Sequence, residues 1–188
     1  MSARKGYFLL ALSVLALDQV TKIAVDALLR TRGPVEIVPG FFNLWYSRNR
    51  GGLFGYFQNL PDPWRALLLT LLPVLIVGAI GWYLAKAPDS SRLTLGGLAL
   101  ILGGAVGNLV DRVFRGEVID FLDVYTSSRS LEERLVARFG TAHWPTFNVA
   151  DSAIVVGACL LVLDVLRPAG RREAVTGGSP DAPGSIGP

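Results

Sequence analysis

The chain has 188 residues, 51% of them hydrophobic, and its charges fall between long apolar runs rather than among them, which is the pattern of an integral membrane protein. A net charge of +3 arises from an Arg-rich set of bases scattered over termini and loops, with no basic stripe and no nucleic-acid module, so nucleic-acid partners are set aside. The single cysteine, Cys159, excludes a disulfide framework and a cysteine-based metal site, and it reads as a small core or lipid-facing residue.

At the N-terminus, Arg4 and Lys5 followed by Tyr7 to Leu17 resemble the opening of a signal peptide. Asp18-Gln19-Val20-Thr21-Lys22 stands where a small-residue cleavage site would be needed, so a retained first span is expected. Four segments are long and apolar enough to cross roughly 30 Å of hydrocarbon at about 1.5 Å per residue. They are Tyr7 to Leu28, Arg65 to Ala85, Leu93 to Val110 and Ala150 to Leu166. An even number of spans puts both termini on one side. Arg4/Lys5, Lys86/Arg92 and Arg167/Arg171/Arg172 mark that side as cytoplasmic by the positive-inside rule.

Between the first two spans, residues 33–61 change character: Val35 to Val38 and Phe41 to Tyr46 are β-branched and aromatic, broken by Pro39-Gly40 and Gly51-Gly52. They predict short strands joined by turns, with rings such as Trp45, Tyr56 and Trp64 in the headgroup region. In the third span, Gly103-x-x-x-Gly107 predicts a close helix approach. Asp120 is read as lying in a loop. Over Ser127 to Phe139, the four-residue spacing of Leu131, Leu135 and Phe139 predicts a short amphipathic surface helix. Beyond Gly170 the chain is Gly, Pro, Ser and Ala without an apolar period, which predicts a disordered tail.

Polar residues inside a span are costly unless paired, so their depth is informative. Asp18 and Lys22 lie toward the C-terminal end of the first span, Asn108, Asp111 and Arg112 at that end of the third, and Asn148 and Asp151 at the start of the fourth. Alternate spans run in opposite directions, so all three groups arrive at one membrane face, which residues 33–61 and Asp120 share. Taken singly, Asp18 and Lys22 four residues apart could be a structural ion pair, and Asp111 could pair with an arginine. Asp123 reads as a solvated neighbour, and Asp164, beside Arg167, as an interfacial charge.

The chemistry open to such a site is narrow. His143 is the sole histidine, and no Cys, His or carboxylate cluster has metal-site spacing. Ser152 directly follows Asp151 and is expected to point elsewhere on a helix. Two aspartates remain. Held close they cannot both ionise easily, so one keeps a proton while the other, as an anion, can activate water against an amide carbonyl. A proton-coupled transporter and a non-catalytic assembly subunit are the alternatives. The first is opposed by the absence of acidic or basic residues in the second span between Arg65 and Lys86.

Five motifs stand in one order: Asp18-Gln19-Val20-Thr21-Lys22, Asn49-Arg50-Gly51-Gly52-Leu53-Phe54, Gly107-Asn108-Leu109-Val110-Asp111-Arg112, Val118-Ile119-Asp120-Phe121-Leu122 and Phe147-Asn148-Val149-Ala150-Asp151-Ser152. Together they resemble the lipoprotein signal peptidase (signal peptidase II) family of bacterial membrane aspartic peptidases. The resemblance implies an all-α integral membrane protein of four transmembrane helices with a small periplasmic β-cradle and a short periplasmic amphipathic helix. It implies a peptidase domain over residues 1–170, with the cradle at 33–61, the periplasmic helix and loop at 125–144, and a cytoplasmic tail at 171–188. Asp120 and Asp151 would be catalytic. Asn49, Gly51, Asn108, Arg112, Asn148, Asp18 and Lys22 would bind substrate or support the dyad, and Asp111 and Gly104 would support the structure. The implied substrate is a diacylglyceryl-modified prolipoprotein, cut on the amino side of its lipidated cysteine at the periplasmic face of the inner membrane. Also implied are a monomer among membrane lipids, no metal or organic cofactor, and inhibition by globomycin-type cyclic peptides. Residues 125–144 are longer than the usual connection between the two aspartates, and their amphipathic stretch from Leu131 to Phe139 is expected to form or extend the periplasmic helix and act as a movable lid.

Overall fold

A computed structural model describes residues 3–52, 56–86 and 91–167. The predicted tail, together with Leu53 and Phe54 of the loop motif, lies outside the described residues. Helix α1 runs over Ala3–Leu29 and stops short of Gly33-Pro34, since the residue before a proline is driven out of the helical region. A long second helix follows in three parts: α2 (Asp62–Ala66), a π turn (Leu67–Leu71) and α3 (Leu72–Lys86). Pro63 suits the first turn because its missing N–H would have no partner there. Pro73 deprives the Leu69 carbonyl of its usual donor, and the helix widens into the π turn just before it.

Helix α4 (Arg92–Arg115) starts at Ser91, whose hydroxyl accepts from Thr94 N at 3.1 Å. It ends at Gly116, whose φ of 77° turns the chain sharply toward the sheet. Helices α5 (Arg129–Phe139) and α6 (Val149–Val165) complete the helices of the described residues. Among the described residues three helices are long and apolar enough to cross a membrane: α1, the composite Asp62–Lys86 helix, and α4. Helix α6, with 17 residues, is about 25 Å long and equally apolar.

The exterior is greasy, and the most deeply buried large side chains are polar. Val20, Trp82 and Val165 are 64%, 69% and 73% exposed, whereas the largest fully buried side chains are Lys22, Asn148, Asp18, Asp111, Asp120 and Asp123. A membrane supplies the apolar surroundings that such an exterior needs, so helix association rests on close backbone contact. Helix α4 packs most extensively on α6 and next on α1. A Cβ at Gly103 would lie 2.5 Å from Ala11 O, one at Gly104 would collide with Ala150 O, and one at Gly107 would lie 2.6 Å from Asp18 Oδ2. The predicted glycine approach is therefore present on two sides of α4.

The predicted strands are β1 (Val35–Val38) and β2 (Phe42–Asn49), an antiparallel pair. The reading of Asp120 as a loop residue is corrected: it sits in a third strand, β3 (Val118–Val124), antiparallel to β2 with Ser47 opposite Asp120 and Asn43 opposite Asp123. An irregularity between Leu44 and Ser47 shifts this register and re-aims the end of β2. Val118, Ile119 and Phe121 are β-branched or aromatic and buried, so a strand suits them. The predicted amphipathic helix is α5, and none of its residues is buried.

Two further expectations are corrected. Asp123 is fully buried, accepting from Asn43 Nδ2 at 3.2 Å and pairing with His143 Nδ1 at 2.9 Å. Asp164 is 8% exposed rather than interfacial, and takes the Ser91 and Thr94 hydroxyls at 2.6 and 2.7 Å, tying α6 to the start of α4.

Overpacking a tight helix contact costs about 1–3 kcal/mol. Gly104→Ala is therefore expected to lower the thermal unfolding temperature in detergent, whereas Gly78→Ala, with nothing within 4 Å of its added Cβ, is not. Equal melting of the two variants would remove the case for close packing at Gly104.

Candidate active site

Three segments converge to build the site. The strand β3 presents Asp120, and residues Trp144 to Phe147 run antiparallel beside it, with Trp144 N bonded to Val124 O at 2.7 Å and Phe147 N to Leu122 O at 3.1 Å. That pairing delivers Asn148 beside Asp120 as the N-cap of α6. Asn148 and Asp151 then form a capping box: Asp151 N donates to Asn148 Oδ1 at 2.9 Å, and Asn148 N donates to Asp151 Oδ2 at 3.2 Å. The cap holds the second carboxylate at the first turn of the helix.

Three asparagine amides surround the two carboxylates, and each has its orientation fixed. Asn148 spends its oxygen on Asp151 N, leaving Nδ2 to donate to Asp120 Oδ1 at 2.7 Å and to Asn108 Oδ1 at 3.1 Å. Asn49 accepts from Gly51 N at 2.8 Å, which turns its Nδ2 toward Asp120 Oδ2 at 3.0 Å. Asn108 accepts from Lys22 Nζ at 3.0 Å, which turns its Nδ2 toward Asp151 Oδ1 at 2.8 Å. A lysine ammonium can only donate, so the Asn108 amide has one workable orientation.

Beneath this layer Lys22 also contacts Asp18 and Asp111, each at 2.9 Å, with all three side chains fully buried. Asp18 accepts from Ala150 N at 3.0 Å, and Asp111 from Ile119 N at 3.2 Å. Arg115 is the arginine partner of Asp111. Gln19 joins the cluster, bridging Asp18, the Gly107 carbonyl and Asp111 at 3.1–3.3 Å.

Above it lies a cavity of about 450 Å³ whose polar wall includes Asn49, Asn108, Arg112, Asp120 and Asp151. Its apolar wall is Trp144, Pro145, Phe147, Val155 and Val156. Val155 and Val156 are over half exposed, so the cavity opens on the apolar exterior. Arg112 Nη2 reaches Gly51 O at 3.4 Å, tying the loop after β2 to α4. Burial, and next the charge of Asp151, raise the Asp120 carboxyl from an ordinary value of 3.8 to about 7, against the pull of its two amide donors. Since both amides can only donate, a proton on Asp120 must use a lone pair that neither occupies. Two carboxylates on one cavity, with one proton between them, can act as acid and base on a bound water.

Asn49, Asn108, Arg112, Asp120 and Asp151 thus share the cavity, with Asn148, Asp18, Lys22, Asp111, Gly51 and Gly104 behind it. Ser152 is corrected: it does line the cavity, but its hydroxyl is bonded back to Asn148 O at 2.9 Å. Sequence reasoning missed Gln19 and the wall from Trp144 to Phe147. The run Trp144-Pro145-Thr146-Phe147 immediately ahead of an N-cap asparagine was a signal for the wall.

Removing one partner of a buried ion pair costs about 3–5 kcal/mol. Lys22→Met is expected to destabilise the protein by that order, and Asp111→Asn added to it to recover part of the loss. Thermal or denaturant unfolding in detergent measures both, and a Lys22→Met protein as stable as wild type would contradict the arrangement.

A sequence profile described as Signal peptidase (SPase) II matches residues 10–167. A protein named lipoprotein signal peptidase from Solibacter usitatus is 42% identical over 173 residues, covering 90% of this chain and 94% of its own. A protein of the same name from Geobacter metallireducens is 43% identical, with 85% and 89% covered. Among solved structures, a bacterial membrane enzyme determined by the in meso method at 1.9 Å aligns with a TM-score of 0.69 at 26% identity, over 87% of this chain and 94% of that one. Another, at 2.3 Å resolution and 24% identity, shares the fold with a TM-score of 0.68 and 95% of each chain covered. With most of its length matched in both sequence and fold, the chain belongs to the signal peptidase II family.

Proposed function

We propose that this chain is an aspartic endopeptidase that removes signal peptides from diacylglyceryl-modified prolipoproteins, cutting on the amino side of the lipidated cysteine. Asp120 and Asp151 are its catalytic dyad. The observation that carries this reading is their position on one cavity, each held by asparagine amides of fixed orientation, opposite an apolar wall open to the exterior. A substrate with a peptide to be cut and a lipid to be seated needs both walls.

In the proposed reaction Asp120 keeps the shared proton and Asp151 is the anion. Its carboxylate accepts from Asn108 Nδ2 and from a backbone N–H at the positive end of α6, donors that suit a negative charge. Asp151 takes a proton from water as the water oxygen bonds to the scissile carbonyl carbon. Asp120 hydrogen-bonds the developing oxyanion, and as the C–N bond breaks it supplies its proton to the leaving amine. One proton is again held by the pair, now on Asp151, and returns to Asp120 across the site. Arg112, on the same cavity, offers a positive charge to a substrate carbonyl.

The same reading makes α6 a fourth span beside the three long apolar helices, with both termini cytoplasmic and the sheet and cavity at the periplasmic face of the inner membrane. The basic residues Arg4, Lys5, Lys86, Arg92 and Arg167 at the opposite end support that orientation. Helix α5, without a buried residue, is the movable cover of the cavity, and globomycin-type cyclic peptides are its expected inhibitors. A spin label at Arg134 should lose mobility when such an inhibitor binds, and equal mobility in both states would remove the lid.

Purified protein incubated with a diacylglyceryl-modified prolipoprotein is expected to cleave it, while Asp120→Asn and Asp151→Asn each lose about 10³-fold or more, the scale of a lost acid or base. Wild-type-like cleavage by either variant would reject the dyad. Because Asp120 must be protonated to act, the rate should fall as pH rises through about 7. A rate undiminished well above that pH would place the working proton elsewhere.

A further inference from the structure

Strand β3 has a second face. Alternation along it turns Val118 and Asp120 to the dyad cavity and Ile119 to a separate cavity of about 210 Å³ behind the sheet. This rear cavity is lined by Asp26 and Arg30 at the end of α1, Tyr46 and Arg48 of β2, Arg115 at the end of α4, and Glu117. We propose that it binds the headgroup of a membrane phospholipid bearing a phosphodiester and an amine, of the phosphoethanolamine class.

Arg48 and Arg50 both pair with Glu117, Arg115 pairs with Asp111, and Asp26 accepts the Tyr46 hydroxyl at 2.7 Å. Arg30 forms no ion pair among the described residues and stands exposed at the cavity mouth. Once these pairs are set aside, Arg30 and Asp26 are the charged groups of the lining left without an ion pair among the described residues. Each guanidinium has five N–H donors in a planar fork, so Arg30 has its full set to offer a phosphodiester. Asp26, whose partner is a hydroxyl rather than a cation, supplies the opposite need, an acceptor for an ammonium group. A ligand of one sign would satisfy only one of Arg30 and Asp26, and a zwitterion satisfies both.

Depth and flanks point to a lipid rather than a free anion. Arg30 directly follows Leu29, the last residue of α1, and Arg115 is the last of α4, so the cavity lies where two apolar helices reach the polar boundary. On the membrane side, Ile23 lies three and seven residues before Asp26 and Arg30, on the same face of α1, and is 57% exposed. Phe114, beside Arg115, is 80% exposed. A polar pocket above exposed apolar side chains fits a headgroup with acyl chains below it, whereas inorganic phosphate gains nothing from Ile23 or Phe114. The proposal rests on the membrane placement of α1 and α4 and not on the aspartate dyad, so its test reads lipid binding and not cleavage.

Delipidated full-length protein in detergent is titrated with dihexanoyl phosphatidylethanolamine, with the matching phosphatidylcholine, and with inorganic phosphate, and bound ligand is counted by native mass spectrometry. One phosphatidylethanolamine per chain is expected. Arg30→Gln should weaken it about tenfold, the scale of one lost charge-assisted hydrogen bond. Asp26→Asn should erase the preference over phosphatidylcholine, while Arg129→Gln on exposed α5 changes neither. A thermal melt confirms that each variant is folded. Unchanged binding in folded Arg30→Gln, equal affinity for the two lipids in wild type, or inorganic phosphate binding as tightly as lipid would each overturn the proposal.

Discussion

A buried ammonium group organises this structure. Lys22 sits with no exposure between Asp18 and Asp111, and an unpaired charge there would carry a desolvation penalty of several kcal/mol. Its two carboxylate partners come from different helices and are engaged beyond it, one by the α6 backbone at Ala150 and the other by the β3 backbone at Ile119. One lysine therefore registers α1, α4, α6 and the sheet against each other. In an apolar solvent that provides little drive for helices to associate, this polar column and the glycine contacts of α4 perform the task that a hydrophobic core performs in water.

The same ammonium reaches the site by one step of hydrogen-bond logic. Because Lys22 can only donate, Asn108 must present its oxygen to it and its NH₂ to Asp151. Asn148 is locked by the capping box and Asn49 by the backbone of Gly51, so each amide's direction is set by a group that cannot reverse. The two carboxylates thus receive donors at fixed places and keep their remaining lone pairs for the cavity. With Arg115 offsetting Asp111, the cluster beneath carries two charges of each sign, and burial together with the Asp120–Asp151 repulsion sets the proton affinity of Asp120.

Much of this was legible in the chain, for a geometric reason. Successive long helices run in alternate directions, so polar residues at the ends of α1 and α4 and at the start of α6 arrive at one end of the bundle. Asp18, Lys22, Asn108, Asp111, Asn148 and Asp151 could therefore be placed together. What escaped depended on partners distant in sequence. Val118 to Val124 carries two aspartates and has no clean alternation, so its strand character comes from pairing with β2, a segment some seventy residues earlier, as in the 71-residue separation of the Asn49–Asp120 bond. Asp123 looked solvated because its partners, Asn43 and His143, lie on other segments. Asp164 looked interfacial because the hydroxyls it accepts from belong to the start of α4.

The segment between the aspartates shows how rigidity and freedom are divided. Its neck is bound: Tyr125 bridges His143, their rings stack at 5.3 Å, and Trp144 N is bonded to β3. Its tip, α5, buries no residue, and its Arg129–Glu133 pair is exposed and contributes little to stability. The cavity wall from Trp144 to Phe147 is consequently fixed by the sheet, while the helix preceding it contributes no buried residue to what holds Asp120 or the cap at Asp151. The Tyr125–His143 bridge stands between that exposed tip and the two carboxylates, so the geometry at Asp120 and Asp151 does not depend on where the tip lies.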